Sequence, residues 1–422
     1  MQNLLSAYQK SIYHPIMVLI CGLIAFSVID GGQPSALLLL LALLPLTLQN
    51  GFFVNVGNRK WLVALICPLV VSIPLFIGSK TGEALDAPAR YFAAAICLIA
   101  LSKYPIRSEL ILRSASIGSI ITLVFKFALL SEARVDWGVG ILESGYLGVV
   151  MLALSISQYY TDKGKLVWRI ISVLGIICAL IIVVKTGSRG TWPAIIFVCL
   201  MHLLLVPVSV TKKIMAICIG AIILIMSFLY VPSISQRVDL SVQEFKAYYY
   251  ENNHATSLGY RLDFWHIAVR GFMESPIWGV SYDRRSEIMD EFMEQYPESK
   301  HIGNDGRSSS HNEILNAMSK KGLLGLVGIL LLYLVPLQFF IRHMKREWGW
   351  KIRRVAAAGV GVVATMVICG LSEAPLMNVR VATTYAFVLI FLFHAINHLM
   401  TQQGAKIAAT ASDPPSAPPQ KN

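Results

Sequence analysis

Charge is scarce in this sequence. Asp, Glu, Lys and Arg make up 14% of its 422 residues, against 55% that are hydrophobic. With the apolar residues in long blocks rather than scattered stripes, that balance excludes a water-soluble domain of this size. The cysteines Cys21, Cys67, Cys97, Cys178, Cys199, Cys218 and Cys369 all fall inside those blocks, and the one long polar stretch has none. A disulfide framework or a zinc site needs cysteines in loops or at close spacing, so both are excluded. The thiols read as small buried hydrophobes. Missing too are a glycine-rich nucleotide loop with its lysine, a Gly-x-Ser-x-Gly elbow, a His/Cys cluster and an outer-face aspartate pair of the metal-dependent sugar-transfer kind. Neither a metal nor a cofactor is demanded.

Present instead are twelve apolar segments, near 14–30, 35–49, 61–78, 87–102, 109–130, 139–159, 167–184, 191–208, 213–231, 322–341, 355–371 and 381–400. A helix needs about 20 mostly apolar residues to cross the hydrocarbon core, and only a helix satisfies its own backbone there. No small-residue cleavage site follows the first block, so it reads as a retained span rather than a signal peptide. The fold class is an all-α polytopic membrane protein with about twelve transmembrane helices. An even count puts both termini on one side.

Basic residues choose the side. Cytoplasmic termini give that face eighteen: Lys10, Arg59, Lys60, Lys103, Arg107, Lys163, Lys165, Arg169, Lys212, Lys213, Arg342, Lys345, Arg346, Lys351, Arg353, Arg354, Lys406 and Lys421. The short loops opposite carry six: Lys80, Arg90, Arg134, Lys185, Arg189 and Arg380. The net charge of +12 is therefore mostly an inner-face topology signal and needs no nucleic-acid partner. Four regions follow: segments one to nine over 1–231, an outer loop with amphipathic helices over 232–310, a lead-in helix and the last three segments over 311–400, and a disordered cytoplasmic tail over 401–422. The loop, at about 80 residues, exceeds an ordinary connection, which usually marks function. Within it, three- and four-residue spacing of apolar side chains predicts helices over 258–273 and 284–296.

The six outer cations stand on the face that topology disfavours. Arg189 lies in Lys185-Thr186-Gly187-Ser188-Arg189-Gly190-Thr191-Trp192, a glycine turn opening the eighth segment. Its glycines let backbone N–H groups approach an anion at a helix start, and guanidinium grips phosphate in a planar fork. Arg90 follows Ala87-Pro88-Ala89 at the entrance to the fourth segment. Interfacial anchoring, or pairing with Glu83, Asp86, Glu132 and Asp136, is the plainer reading of these cations. Arg261 lies in the outer loop, two residues before Asp263, with which it could simply pair. Ser310-His311-Asn312-Glu313 has the spacing of a capping box, which predicts His311 in the first turn of a helix, neutral and able to accept a proton. Capping or packing is an equally good reading of that histidine.

In these residues the chain resembles the O-antigen ligase and O-antigen polymerase superfamily of bacterial inner-membrane glycosyltransferases. Three motifs in order carry the resemblance: Thr186-Gly187-Ser188-Arg189-Gly190, Arg261 and Trp265 ahead of Pro276-x-x-Gly279, and His311-Asn312-Glu313 ahead of Gly322-Leu323-Leu324-Gly325. The resemblance is greatest to the ligase. It implies a membrane glycosyltransferase C-type fold with one large periplasmic loop, and metal-independent, inverting transfer of a glycan from undecaprenyl pyrophosphate to a sugar hydroxyl of lipid A–core. It further implies His311, Arg189 and Arg261 as catalytic residues, with Arg189, Arg261, Arg90 and Lys80 on the pyrophosphate. The setting is the inner membrane with the site on the periplasmic face. A polymerase extending a second lipid-linked glycan is the near alternative, and an anionic-lipid transporter is the alternative from another class. The transporter predicts charges and broken helices at mid-membrane, whereas Lys126 and Glu143 both fall near an outer end. A protein O-oligosaccharyltransferase usually carries more C-terminal periplasmic sequence than this short tail.

Overall fold

A computed structural model describes residues 2–50, 56–79, 83–132, 134–162, 164–230, 232–302 and 309–412. Among them the regular structure is helix, with no strand. The helices are α1 (Gln2–Ala25), α2 (Gln33–Asn50), α3 (Val56–Ser79), α4 (Glu83–Ala100), α5 (Ser108–Phe125), α6 (Ile141–Thr161), α7 (Leu166–Thr186), α8 (Trp192–Leu205) and α9 (Val210–Tyr230). Then follow α10 (Pro232–Tyr250), α11 (Ser257–Glu274), α12 (Tyr282–Gln295), α13 (Glu313–His343), α14 (Trp350–Cys369) and α15 (Val379–Ser412). Each of the twelve apolar segments falls on one of α1–α9 or α13–α15. Seven helices are long and apolar enough to cross a membrane, and three shorter apolar ones join them, among the described residues. The protein is an all-α, multi-pass membrane protein.

Burial separates centre from rim. The apolar stretches of α6 and α14 are 78% buried and that of α15 is 89%, whereas those of α3 and α7 are 28%. On α7, Leu166, Val167, Ile170, Leu174 and Ile177 stay exposed. Such a band is favourable only against lipid, since water would have to hydrate it. All seven cysteines are free thiols.

The helices α11 and α12 cover the stretches where apolar spacing predicts them, and they enclose a second small core of Phe264, Ile267, Val280, Ile288, Met289 and Phe292. The helix α10 has no counterpart in the sequence reading. Its Leu240, Val242, Phe245 and Tyr249 are exposed and form no single buried seam, so periodicity does not reveal it.

Two expectations need correction. The tail was expected to be disordered from 401, but α15 runs to Ser412. Gln402, Gln403, Ala405, Lys406, Ala408 and Ala409 are good helix formers, and no proline intervenes before Pro414. The rest of that tail lies outside the described residues. The capping box also does not form: the N-cap of α13 is Asn312, whose Oδ1 accepts from the N–H groups of Ile314 and Leu315 at 3.1 Å each. His311 is therefore outside the helix, at φ 46°. Asn is as good a cap as Ser, and one side chain satisfying two orphan N–H groups leaves Ser310 free for another partner.

Candidate active site

Four chain segments converge at one end of the bundle. The first is the turn between α7 and α8. Gly187 closes α7 in a left-handed conformation, φ 63°, which a residue with a Cβ adopts only with strain. Gly190 packs so closely on the loop after α14 that an added Cβ would stand 2.8 Å from Ser372 Oγ. Arg189 lies between these two glycines in sequence, half-buried, with Nη1 donating to Ser241 Oγ of α10 at 2.8 Å. Arg134 reaches the same turn and donates from Nε to the Thr186 carbonyl at 3.0 Å.

The second segment is α11, started by Thr256, whose side chain accepts from Gly259 N–H at 3.0 Å. One face of the helix, with Gly259, Asp263, Phe264 and Ile267, is buried. Asp263 is fully buried and accepts from Tyr248 at 3.1 Å and Ser299 at 2.8 Å, with His254 Nδ1 at 2.9 Å. Burial, aided by the Asp263 carboxylate, holds the Tyr248 phenol well above its usual pKa, so it remains a donor. Pairing of Arg261 with Asp263, the plainer sequence reading, does not occur. Arg261 Nη2 donates instead to Glu373 Oε1 at 3.1 Å.

The third segment is 309–313. Arg285 of α12, 1% exposed, donates to Ser310 Oγ at 2.9 Å and to Ser319 Oγ at 2.7 Å. Burial pushes its guanidinium down to about 10. Asn312 Nδ2 donates to the Leu371 carbonyl at 3.1 Å, and Glu313 N–H to the Gly370 carbonyl at 2.8 Å. His311 is fixed between these bonds. Its ring stacks on Phe264, with centroids 5.2 Å apart, and Nδ1 lies 2.6 Å from Glu373 Oε2.

The fourth is the loop after α14, which supplies Ser372 and Glu373. Sequence reasoning missed Glu373; the available signal was an acid in the short connection between the last two apolar segments, two residues before Pro375. Arg134, Arg189, Arg261, Tyr146, Glu244 and Glu373 help line a cavity of roughly 760 Å³. This is large enough for a small-molecule headgroup. The arginines give it cationic walls with forked donors, and the His311–Glu373 pair adjoins it.

The other expected residues fare differently. Arg90 does not line this cavity; it is half-buried on α4, with Nε buried and unbonded among the described residues. The helix α4 packs on α3, α2 and α15, which hold it away from the arginine turn. Lys80 lies outside the described residues. Lys185 and Arg380 bond to the carbonyls of Glu132 and Gly138, as anchoring cations do.

A tight junction accounts for two of the motifs. Gly279 at φ 75° and Gly322 at φ 59° face each other's segments, and an added Cβ would meet the Lys320 carbonyl carbon at 2.2 Å or that of Ile277 at 2.3 Å. Across the junction Leu323 N–H donates to the Pro276 carbonyl at 2.7 Å and Val280 N–H to the Ser319 carbonyl at 2.9 Å. The bend of α13 at Gly322 thereby docks the loop helices onto the bundle.

The geometry can be set beside known proteins. Residues 174–330 match the family model described as O-antigen ligase, a stretch that takes in Arg189, Arg261 and His311 but not Glu373. The chain is 27% identical over 271 residues to an uncharacterized protein of Haemophilus influenzae, covering 62% of this chain and 67% of that one. It is 24% identical over 233 residues to a protein of Escherichia coli K12 named O-antigen ligase, covering 54% of each. The chain thus spans about half the length of the named relative. The family match falls on the arginine turn, α11 and the His311 segment together, so over that stretch the chain is similar to O-antigen ligases.

Proposed function

We propose that this protein transfers an O-antigen glycan from undecaprenyl pyrophosphate to a sugar hydroxyl of lipid A–core, by a single inverting displacement without a metal. The reading places it in the bacterial inner membrane, with termini cytoplasmic and the cavity periplasmic. The observation that carries it is the meeting of Arg189 and Arg261 in one cavity with Glu373, whose second oxygen holds His311.

The acceptor hydroxyl attacks the anomeric carbon of the donor while the bond from that carbon to the diphosphate oxygen breaks. The electron pair stays on the diphosphate. Charge gathers there as the bond lengthens, so fixed guanidinium groups stabilise the transition state more than the ground state. Arg189 and Arg261 fill that role, with Arg134 added to the set the sequence suggested. With Glu373 holding the Nδ1 proton of His311, the lone pair on Nε2 is the basic site, and it takes the hydroxyl proton. Arg90 and Lys80 are left out of this scheme because nothing described brings them to the cavity.

The test is an assay of purified protein with lipid-linked glycan, lipid A–core and a chelator. Ligation to core with inversion at the anomeric carbon is expected, and His311→Ala should abolish it. Retention of configuration, a trapped glycosyl-enzyme, or turnover by the His311→Ala variant would overturn the scheme. Elongation of a second lipid-linked glycan without ligation to core would make the protein a polymerase.

A further inference from the structure

A second cavity, of roughly 540 Å³, lies at the opposite end of the bundle from the arginine turn. The helix α13 begins beside His311 and ends at this cavity, and α14 starts two residues after Trp348 of its wall and runs back toward Glu373. The start of α3 and the residues Phe393 and Asn397 of α15 complete the enclosure. Two cations line it, Lys60 and Arg342, with the amides of Gln338 and Asn397, and no carboxylate does so among the described residues. Residues 44–58, which lead into Arg59 and Lys60, contain no acid. Glu347, in the connection after α13, is exposed, follows Lys345 and Arg346, and is not part of the wall.

The floor of the cavity is aromatic. Trp61 is 3% exposed and packs on Phe339, Phe340 and Phe393, with ring centroids 5.7, 6.0 and 4.8 Å away. Trp348 lies against His343, centroids 4.9 Å apart. His343 Nδ1 is 2.8 Å from the Phe339 carbonyl and so donates to it, which leaves Nε2 as the remaining polar atom of the ring. Polarity is graded along α13. Leu334, Gln338 and Arg342 recur at four-residue spacing, so they form one row on the helix, and all three are exposed. Toward the helix end that row passes from apolar to amide to cation, the order of acyl chain, ester and phosphate in a phospholipid.

A cationic wall favours a phosphate whose charge is uncompensated over a zwitterionic headgroup. Tryptophan rings and a basic rim are also what a membrane–water interface selects. A cavity of this volume takes a headgroup rather than a macromolecule. We propose that it seats the headgroup of an anionic glycerophospholipid. Lys60 and Arg342 hold the phosphodiester, Gln338, Asn397 and His343 meet its glycerol hydroxyls, and an acyl chain runs along α13 past Leu334. In the topology proposed above this is the cytoplasmic end, so the lipid comes from the inner leaflet. Nothing in this site depends on the transfer chemistry.

Full-length protein in neutral detergent would be titrated with phosphatidylglycerol, with phosphatidylcholine and with free glycerol phosphate. Native mass spectrometry would read binding, and the rise in unfolding temperature would read its linkage to the fold. Phosphatidylglycerol should bind roughly tenfold or more tighter than phosphatidylcholine, the scale that two cations near a membrane surface give. Lys60→Gln with Arg342→Gln should erase that preference. Lys165→Gln with Arg169→Gln removes two exposed cations from the same end of the bundle but away from the cavity, and should keep it. Should the first pair not fold, Gln338→Trp fills the cavity without changing its charge and should weaken phosphatidylglycerol binding by a similar factor. Equal binding of the two lipids would overturn the proposal. So would a preference that survives Lys60→Gln with Arg342→Gln, one that is lost with Lys165→Gln and Arg169→Gln, or unchanged binding by Gln338→Trp. Glycerol phosphate binding as tightly as the whole lipid would also overturn it, by making the ligand a soluble phosphate.

Discussion

Glu373 Oε2 lies 2.6 Å from His311 Nδ1, and the same carboxylate reaches Arg261 through its other oxygen at 3.1 Å. One acid therefore sets the orientation of the histidine and holds an arginine of the neighbouring cavity. Glu373→Gln keeps the shape but removes the charge that stabilises the protonated imidazole. We expect kcat to fall ~10²-fold or more with a small change in KM, as for loss of a group that orients a general base. Steady-state kinetics with donor varied would check this. An unchanged kcat would remove Glu373 from the mechanism.

Replacing Arg189 tests the fork against the charge. Arg189→Gln should lower kcat ~10²- to 10³-fold, the scale of losing one transition-state donor. Arg189→Lys should recover only part of that, because an ammonium lacks the two-pronged geometry. Arg134→Gln should be milder, since its Nε is already engaged with the Thr186 carbonyl. Single-turnover rates at saturating donor would rank the three.

The junction at Gly322 predicts a stability effect without any change in charge. Gly322→Ala combines φ 59° with a Cβ placed 2.3 Å from the Ile277 carbonyl carbon, so the chain must shift. A loss of about 2 kcal/mol or more is expected from strain and displacement together. Gly220→Ala on α9 meets nothing within 4 Å and should be neutral or stabilising by up to about 1 kcal/mol. Thermal unfolding in detergent would read both, with the second serving as the control.

Asp263 is the buried acceptor that ties α10, α11 and the 297–302 turn together through Tyr248, His254 and Ser299. Asp263→Ala would leave those donors without their acceptor and should weaken the loop helices by ~3 kcal/mol. Hydrogen exchange should rise across 248–302 while the exchange of α6 and α14 stays unchanged. Activity should fall because α11 carries Arg261. Faster exchange spread evenly over the whole chain would contradict a local role.

The sequence by itself determined the membrane class, the twelve apolar segments, the two loop helices with strong periodicity, and the arginine turn. Those properties come from neighbouring residues: hydropathy over about one span, three- and four-residue spacing, and glycines at a tight turn. Tertiary structure decided what meets what. Glu373 joins His311 across 62 residues and Arg261 across 112, separations that local pattern does not report. Asn312 rather than Ser310 caps α13, because Ser310 is engaged by Arg285. Arg134 came into the cavity and Arg90 stayed out of it, although each lies in sequence between an apolar segment and nearby acids. Cation chemistry is legible in a sequence, but shared use of one carboxylate by two distant residues depends on how the helices pack.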